Sequence, residues 1–194
     1  MKEYIYFSRH AATSGKALSG DLMKAGRMDI AIHVLIAAFF LSHDVRKDVK
    51  LHLIFYGMPE PPKHIEIQIT NELDISKKDV AGLIKKILYK YKEGKKTEVL
   101  PGCFVEKKSF LKVVEELIDE GKKIFILDKK GKDIREVKIP DDCVFILGDH
   151  DGLPEKELRR LKKSCELVSI GDKMYFASQL VAVLNNELDR PGFW

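Results

Sequence analysis

The sequence predicts an α/β fold in which helices flank a mainly parallel sheet. Apolar runs typical of buried strands alternate along the chain with segments of helical periodicity. The clearest case is residues 144–155, where four apolar residues stop at Gly148, a polar loop follows, and Pro154 opens a helix. The 194 residues contain no internal repeat and no linker long enough to divide them. We therefore expect one domain that spans residues 1–194.

Three strands and two helices are predicted in the first half of the chain. Apolar side chains recur every three or four positions in the first helix, whereas the third strand alternates strictly and is expected to be half exposed. The second helix begins at Ser76, which together with Asp79 is typical of a capping box. The predicted strands are residues 4–8, 49–56 and 64–70, and the predicted helices are residues 26–41 and 76–91.

The second half is predicted to hold three more strands and three more helices. A lysine-rich connection at residues 94–102 separates it from the first half. The predicted helices are residues 106–120, a segment from Pro154, and residues 176–188; the predicted strands are residues 124–128, 143–147 and 166–170.

Composition and charge describe an ordinary soluble protein. The formal charge is +4 and the pI about 8.8, a mild basic bias that is compatible with an RNA partner but does not require one. The three cysteines form no C-x-x-C pair, which fits a reducing compartment. The longest apolar stretch, residues 30–41, is too short to span a bilayer, and no signal peptide precedes the first strand. We expect a cytoplasmic protein that does not associate with a membrane.

The loop after the fourth apolar run predicts a small-molecule site. Gly148 and Gly152 would let backbone approach a ligand, at the strand ends where α/β proteins bind them. The P-loop, dinucleotide-binding, G-x-S-x-G and H-E-x-x-H motifs are all absent from the sequence. Three consecutive residues, Asp149 to Asp151, rarely converge on one ion, so we expect no metal. Near the C-terminus, Ala177 and Ser178 allow close packing of a flat ligand, although an ordinary core helix gives the same pattern.

Two stretches together resemble the cofactor half of the SPOUT class of RNA methyltransferases. They are FILGDHDGLP at residues 145–154 and ELVSIGDKMYFASQLVAVLNNELDR at residues 166–190. The N-terminal stretch at residues 26–57, which begins GRMDIAIHV, is similar to the archaeal tRNA pseudouridine-54 N1-methyltransferase family. The resemblance covers essentially the whole chain. It implies a C-terminal trefoil knot, a feature too rare to follow from any pattern.

The resemblance also implies an activity, a cofactor and an assembly. The activity is methyl transfer from S-adenosyl-L-methionine to N1 of the pseudouridine at position 54, in the T loop of tRNA, by a homodimer whose sites use both subunits. Backbone groups hold the cofactor in this class, which explains why side-chain signals are faint. The implied cofactor residues are Leu127, Asp128, Gly148, Asp149, Leu167, Val168, Ser169, Ile170, Gly171, Asp172, Tyr175, Ala177 and Ser178.

The reaction needs alignment and the loss of the N1 proton. Alignment can supply on the order of 7–11 kcal/mol, and a carboxylate or a water can accept the proton. Asp29 is the first candidate, either as this acceptor or as the holder of an essential Arg27, and Asp149 and Asp151 are alternatives. An acidic residue that only stabilises a first helical turn would look the same. The loop reads Gly-Asp-His-Asp-Gly rather than the commoner Gly-Pro-Glu-Gly-Gly, so roles of other SPOUT members are not transferred.

Basic residues near predicted strand and helix ends are candidates for RNA contacts. Arginine presents fixed donors to phosphate, and a histidine can stack on a base. The candidates are Arg9, His10, Lys16, Arg27 and Arg46, with Lys24 and Lys47 as further contacts. The pairs at residues 85–86 and 95–96 are interpreted as solvated lysines. Two alternatives stay open: a SPOUT enzyme acting on a pseudouridine of ribosomal RNA, and a non-catalytic RNA-binding relative.

Overall fold

The computed structural model describes residues 1–73 and 75–190 of the chain. These residues form one eight-stranded sheet in the order β4-β5-β3-β2-β1-β7-β6-β8. The strands are β1 (Lys2–Ser8), β2 (Val49–Phe55), β3 (Lys63–Gln68), β4 (Thr97–Leu100), β5 (Cys103–Glu106), β6 (Lys123–Asp133), β7 (Cys143–Gly148) and β8 (Glu166–Ser169). The helices are α1 (Met28–Phe39), α2 (Val80–Tyr89), α3 (Phe110–Asp119), α4 (Glu155–Leu161) and α5 (Ala177–Leu188), with 3₁₀ turns at Gly15–Ser19 and Ile134–Glu136.

The sheet is parallel around its centre and antiparallel at one side. Strand β1 pairs in parallel with both β2 and β7, and parallel pairing continues from β7 through β6 to β8. Strands β3, β5 and β4 extend the sheet beyond β2 in antiparallel fashion. The prediction of an α/β fold with a mostly parallel sheet is therefore confirmed. Because parallel strands end at the same edge, the loops after β1, β2, β6, β7 and β8 collect there.

Helices cover both faces of the sheet. Helices α1, α2 and α5 pack on one face, and α3 and α4 pack on the other, each with its own apolar cluster. Helix α1 lies between α2 and α5, and this explains why eight of its twelve residues are buried. None of the helices in the described part of the chain has the length and apolar character needed to cross a membrane.

Two predictions about the middle of the chain are wrong. The predicted connection at residues 94–102 contains β4, and the predicted helix at residues 106–120 begins only at Phe110, after β5. Each of these strands has only four residues, too few to show a clear alternation. Gly102, with φ of 75°, makes the turn that joins the two strands.

The predicted start of the second helix is also wrong. Helix α2 begins at Val80 with Asp79 as its N-cap, whereas we predicted a start at Ser76. The Ser76 hydroxyl donates a hydrogen bond to the Asp79 carboxylate, so this pair closes a turn ahead of the helix and forms no capping box.

Strand β3 is more buried than its alternation predicts, because its polar face carries a hydrogen-bonded chain across the sheet. The His52 ring contacts Glu3 at 2.9 Å and the His64 ring at 2.9 Å, and His64 contacts Glu106 at 3.0 Å. The side chain of His64 is only 3% exposed. When His64 donates from Nδ1 to Glu106, its Nε2 accepts a hydrogen bond from the His52 ring. This series of hydrogen bonds gives partners to the buried polar side chains of four neighbouring strands.

Candidate functional site

A pocket lies where β6, β7 and β8 end, between the loops that follow these strands; we call it the glycine pocket. Nine of the predicted cofactor residues line it: Leu127, Asp128, Gly148, Asp149, Val168, Ser169, Ile170, Gly171 and Tyr175. Gly152, which we predicted to let backbone approach a ligand, also lines the pocket. Five residues that we did not predict complete the lining: Lys129, Leu153, Lys173, Met174 and Leu180. Lys129, Lys173 and Met174 lie within four positions of the end of a predicted strand, so including the residues just after each strand would have found them.

Four predicted cofactor residues do not line this pocket. Leu167 packs against the apolar cluster beneath α3 and α4, because its side chain points to the opposite sheet face from Val168. Asp172 is exposed to solvent. Ala177 is buried in the core at the start of α5, and Ser178 follows it on that helix. Their contact with a cofactor stays a prediction that the lining of the glycine pocket does not support.

Close backbone packing shapes the loop at Gly148. A Cβ atom at this position would lie 2.6 Å from the carbonyl carbon of Gly152, closer than real Cβ contacts come. The loop folds back through a hydrogen bond from the Gly152 backbone N–H to the Asp149 carbonyl, at 2.9 Å. Gly152 itself has φ of 74°. The pair of glycines therefore lets the loop turn tightly, and one wall of the pocket is bare backbone.

The Asp149 carboxylate joins this loop to the end of β1. One of its oxygens accepts hydrogen bonds from the Ser8 hydroxyl and from the Arg9 backbone N–H, both at 2.9 Å. The other oxygen accepts from the Asp151 backbone N–H, also at 2.9 Å. With three donors bound, this carboxylate holds two loops together.

Two further polar groups fix the rim of the glycine pocket. The backbone N–H of Lys130 and the ammonium of Lys162 both bind the Asp128 carboxylate and lower its pKa. The Ser169 hydroxyl accepts from the Gly171 backbone N–H and donates to the Gly171 carbonyl, both at 3.1 Å. This contact closes the turn after β8.

A second depression, the basic cleft, lies beside the glycine pocket at the ends of β1 and β2. Its lining includes the predicted Arg9 and His10 together with Lys24, Tyr56 and Met58. The His10 ring nitrogen lies 3.0 Å from the carboxylate of Asp151, which belongs to the loop of the glycine pocket. The two depressions are thus adjacent. The basic cleft combines cationic, aromatic and apolar groups, as sites for unpaired nucleotides do.

Arg27 and Asp29 form a pair at the start of α1, next to the cleft residue Gly26. Arg27 donates to both carboxylate oxygens of Asp29 at 3.0 Å, and this hydrogen bonding lowers the pKa of Asp29. Arg27 also has φ of 61°, and it is the one non-glycine residue with positive φ in the described ranges. A Cβ at Gly26 would lie 1.7 Å from the His10 carbonyl oxygen, so this strained turn is packed directly on the β1 loop.

Arg46 does not line the cleft, so its predicted contact with RNA gains no support from the cleft and stays a prediction. It lies between α1 and β2, at the edge of the sheet opposite to the two depressions, because loops that enter parallel strands lie at their amino ends. Its guanidinium is bound to Asp189 and its side chain is only 11% exposed. Lys47, beside it, donates to Asn71. Lys16, in contrast, is exposed on the 3₁₀ turn that borders the cleft.

The three polar residues at 149–151 have ligand atoms within 4.8 Å of one another. The oxygens of Asp149 are already bound to backbone and hydroxyl donors, and Asp151 contacts His10. This donor set is therefore engaged in holding loops, and we assign it no ion.

The fold and the two depressions define a class of protein, and comparisons with known proteins identify it. A family model described as "Putative SAM-dependent RNA methyltransferase" matches residues 1–193. The chain is 34% identical over 195 residues to the tRNA (pseudouridine(54)-N(1))-methyltransferase of Methanococcoides burtonii, an alignment that covers 98% of this chain and 96% of that protein. It is 36% identical over 197 residues to the enzyme of the same name from Thermococcus gammatolerans, with 97% of each chain covered. The chain belongs to this family of SAM-dependent RNA methyltransferases, alongside the tRNA (pseudouridine(54)-N(1))-methyltransferases.

A solved structure supports the fold independently. Nep1 from Archaeoglobus fulgidus, bound to S-adenosylhomocysteine, superposes with a TM-score of 0.66 and covers 97% of both chains. The sequences are only 15% identical, so this likeness shows a shared fold and nothing further.

Proposed function

We propose that this protein transfers a methyl group from S-adenosyl-L-methionine to N1 of the pseudouridine at position 54, in the T loop of tRNA. One observation carries the proposal: the glycine pocket and the basic cleft are joined. The Asp149 carboxylate binds Ser8 and Arg9, and Asp151 of the glycine loop contacts His10 of the cleft. A pocket for a small molecule and a cleft for a nucleotide lie side by side at one sheet edge. Membership of the RNA methyltransferase family and the names of its relatives agree with one site for a cofactor and one for a nucleotide.

The glycine pocket fits a nucleoside cofactor that carries a positive charge. Leu127, Val168 and Leu180 provide apolar surface for a flat ring, and the backbone of the glycine loop provides amides and carbonyls without side chains. The carboxylate of Asp128 lies in the lining and stays ionised because its pKa is lowered by Lys130 and Lys162. When bound, S-adenosyl-L-methionine supplies an electrophilic methyl group.

In this proposal, the cleft residues hold the RNA and remove the N1 proton. Asp29, with its pKa lowered by Arg27, is a weak proton acceptor; its role is to hold the Arg27 guanidinium toward the RNA. His10 is half exposed in the cleft, and Asp151 orients its ring from 3.0 Å. An imidazole oriented by a carboxylate is a suitable acceptor for the proton that leaves N1. Arg9 and Lys24 neutralise nearby phosphates.

The C-terminal part of the chain forms, we infer, the trefoil knot of the SPOUT class. The pairing of β6 with β8 supports it, because Val168 pairs both with Leu127 and with Lys132. The register shifts in the intervening segment, and Gly131 is packed so closely that a Cβ would lie 2.5 Å from the Val168 backbone nitrogen. A close approach of this segment to β8 agrees with a knot in this region.

Three further statements belong to the same proposal. The chain works as one domain, since all eight described strands belong to a single sheet. It works as a homodimer, because Met174 and Phe176, which are 84% and 68% exposed, form an apolar surface beside the glycine pocket. It acts in the cytoplasm, where its tRNA substrate is found.

Methyl transfer to matched RNAs tests the proposal. Radiolabelled S-adenosyl-L-methionine would be incubated with the protein and with T-arm RNAs that carry either pseudouridine or uridine at the target position. We expect label in the pseudouridine RNA alone, because only pseudouridine has a free N1–H. Label in both RNAs would contradict the N1 assignment, and label in neither would favour a ribosomal RNA substrate.

A further inference from the structure

The segment of residues 77–95, which includes α2, has a higher net positive charge than the protein as a whole. They contain seven lysines against only Asp79 and Glu93, a net charge of +5, whereas the entire chain has +4. The remaining residues therefore sum to −1. The seven lysines are Lys77, Lys78, Lys85, Lys86, Lys90, Lys92 and Lys95. We call the surface that they form the lysine face.

These lysines lack acidic partners. None of the seven forms an ion pair with any residue in the described ranges 1–73 and 75–190. Lysines elsewhere are often paired, as Lys108 is with Glu116 and Lys162 is with Asp128. Apart from Lys85 the seven are exposed, so their charges face solvent and do not cancel locally.

Helix stability does not account for this arrangement. Lys77 and Lys78 precede the N-terminus of α2, where the helix dipole disfavours cations. Lys86 and Lys90 are four positions apart, a like-charge spacing that costs about 0.2–0.5 kcal/mol in a helix. The positions of Lys86 in the last turn and of Lys90 at the C-cap can offset this cost, but they give no reason for Lys77 and Lys78. A lysine face without ion-pair partners, part of it unfavourably placed for its own helix, points to an external anionic partner.

The lysine face is continuous with the basic cleft. The 3₁₀ turn Gly15–Ser19 packs on α2, so closely that a Cβ on Gly15 would lie 2.5 Å from the Tyr89 ring. This turn carries Lys16, and the chain then passes into the cleft wall at Lys24. A cationic path therefore leads from the cleft, across the 3₁₀ turn, to α2.

We propose that the lysine face docks the phosphate backbone of the substrate RNA outside the loop that enters the basic cleft. This inference rests on the proposed function, because it takes RNA as the substrate. Regularly spaced phosphates match a row of unpaired lysines, which supply affinity and orientation but no sequence readout. The solvated lysines at residues 85–86 and at residue 95 thus acquire a binding role.

Binding of long and short RNAs tests this proposal. In the variant Lys78→Gln/Lys86→Gln/Lys90→Gln, three charges of the lysine face are lost. We expect its Kd for full-length tRNA to rise about tenfold or more near 0.1 M salt, and the slope of log K against log salt to fall by about 2–3. Its Kd for a T-arm hairpin and for S-adenosylhomocysteine should stay unchanged. The matched control is Lys107→Gln/Lys112→Gln/Lys163→Gln, which removes three unpaired lysines from the opposite sheet face.

Each outcome decides the question. A wild-type salt slope and affinity for tRNA in the lysine-face variant would overturn the proposal, as would an equal loss in the control variant. A loss for both tRNA and the hairpin would place these lysines in the cleft interaction instead. Binding of polyglutamate that depends on the lysine face, without any effect on tRNA, would assign the face to an acidic protein. Failure of the proposed function shows separately, as tRNA binding by the wild type without methyl transfer.

Discussion

Substituting Gly148 with alanine should disable the glycine pocket through a single added carbon. The new Cβ would lie 2.6 Å from the carbonyl carbon of Gly152, whereas ordinary contacts begin at 3.4 Å. The loop at residues 149–152 must therefore move by about 0.8 Å, since backbone, unlike a flexible side chain, cannot rotate away. Overpacking of this kind costs about 1–3 kcal/mol.

Movement of this loop should affect both the cofactor site and the RNA site. The loop lines the pocket directly, and its Asp149 carboxylate holds the start of the Arg9 loop. We expect the Kd for S-adenosylhomocysteine to rise roughly tenfold to a hundredfold, which corresponds to about 1.4–2.8 kcal/mol. Isothermal titration calorimetry measures this Kd, and thermal unfolding reports whether the variant is folded.

Gly82→Ala is the matched control for this substitution. Gly82 lies in α2 with nothing within 4 Å of a built Cβ, so alanine should leave the Kd unchanged and stabilise the helix by about 0.5–1 kcal/mol. A folded Gly148→Ala variant that binds S-adenosylhomocysteine with wild-type affinity would refute the steric argument and the assignment of the pocket.

Three other perturbations have defined outcomes. Arg27→Lys should lower kcat/KM for RNA at least tenfold without changing cofactor affinity, because lysine cannot make the two-pronged contact with Asp29; loss of cofactor binding would contradict the placement of Arg27. His10→Ala should lower kcat by about 10²-fold or more if the imidazole accepts the N1 proton, and a change in KM alone would leave it only a binding role. Burial would raise the pKa values of Glu3 and Glu106, but hydrogen bonds from the His52–His64 chain and from lysines lower both to about 2. The two carboxylates therefore stabilise the fold fully above pH 4.5, their ordinary pKa, and this stabilisation is lost as the pH falls toward 2. Urea unfolding between pH 2 and 7 should show the loss as a fall in the free energy of unfolding. In the Glu3→Gln variant this fall should be smaller.

The parallel half of the sheet could be predicted because its strands are long apolar runs with clear stops. Residues 144–147 are buried on both faces, and the glycine that follows them marks the strand end. The order of strands could not be read in the same way, since pairing depends on contacts between distant residues. Strands β4 and β5 were missed because four residues are too few for a periodic signal.

The glycine pocket could be predicted only in part, and only with the help of the family resemblance. Positions such as Gly148 and Ser169 follow from strand ends, where backbone lines a ligand site. Leu167 lies outside the pocket lining because consecutive strand residues face opposite sides, and a sequence alone does not say which side faces the pocket. The contact of Arg46 with Asp189 could not be predicted, because the two residues lie 143 positions apart in the chain.

The atom and the nucleotide that receive the methyl group distinguish N1 transfer at position 54 from other RNA methylations. A tRNA transcript that carries pseudouridine only at position 54 would be compared with one that carries it only at a neighbouring T-loop position, and the digested nucleosides would be resolved by mass spectrometry. The account predicts N1-methylpseudouridine from the first transcript alone. Methylation of the second transcript, or a methyl group on carbon or ribose in the first, would contradict it.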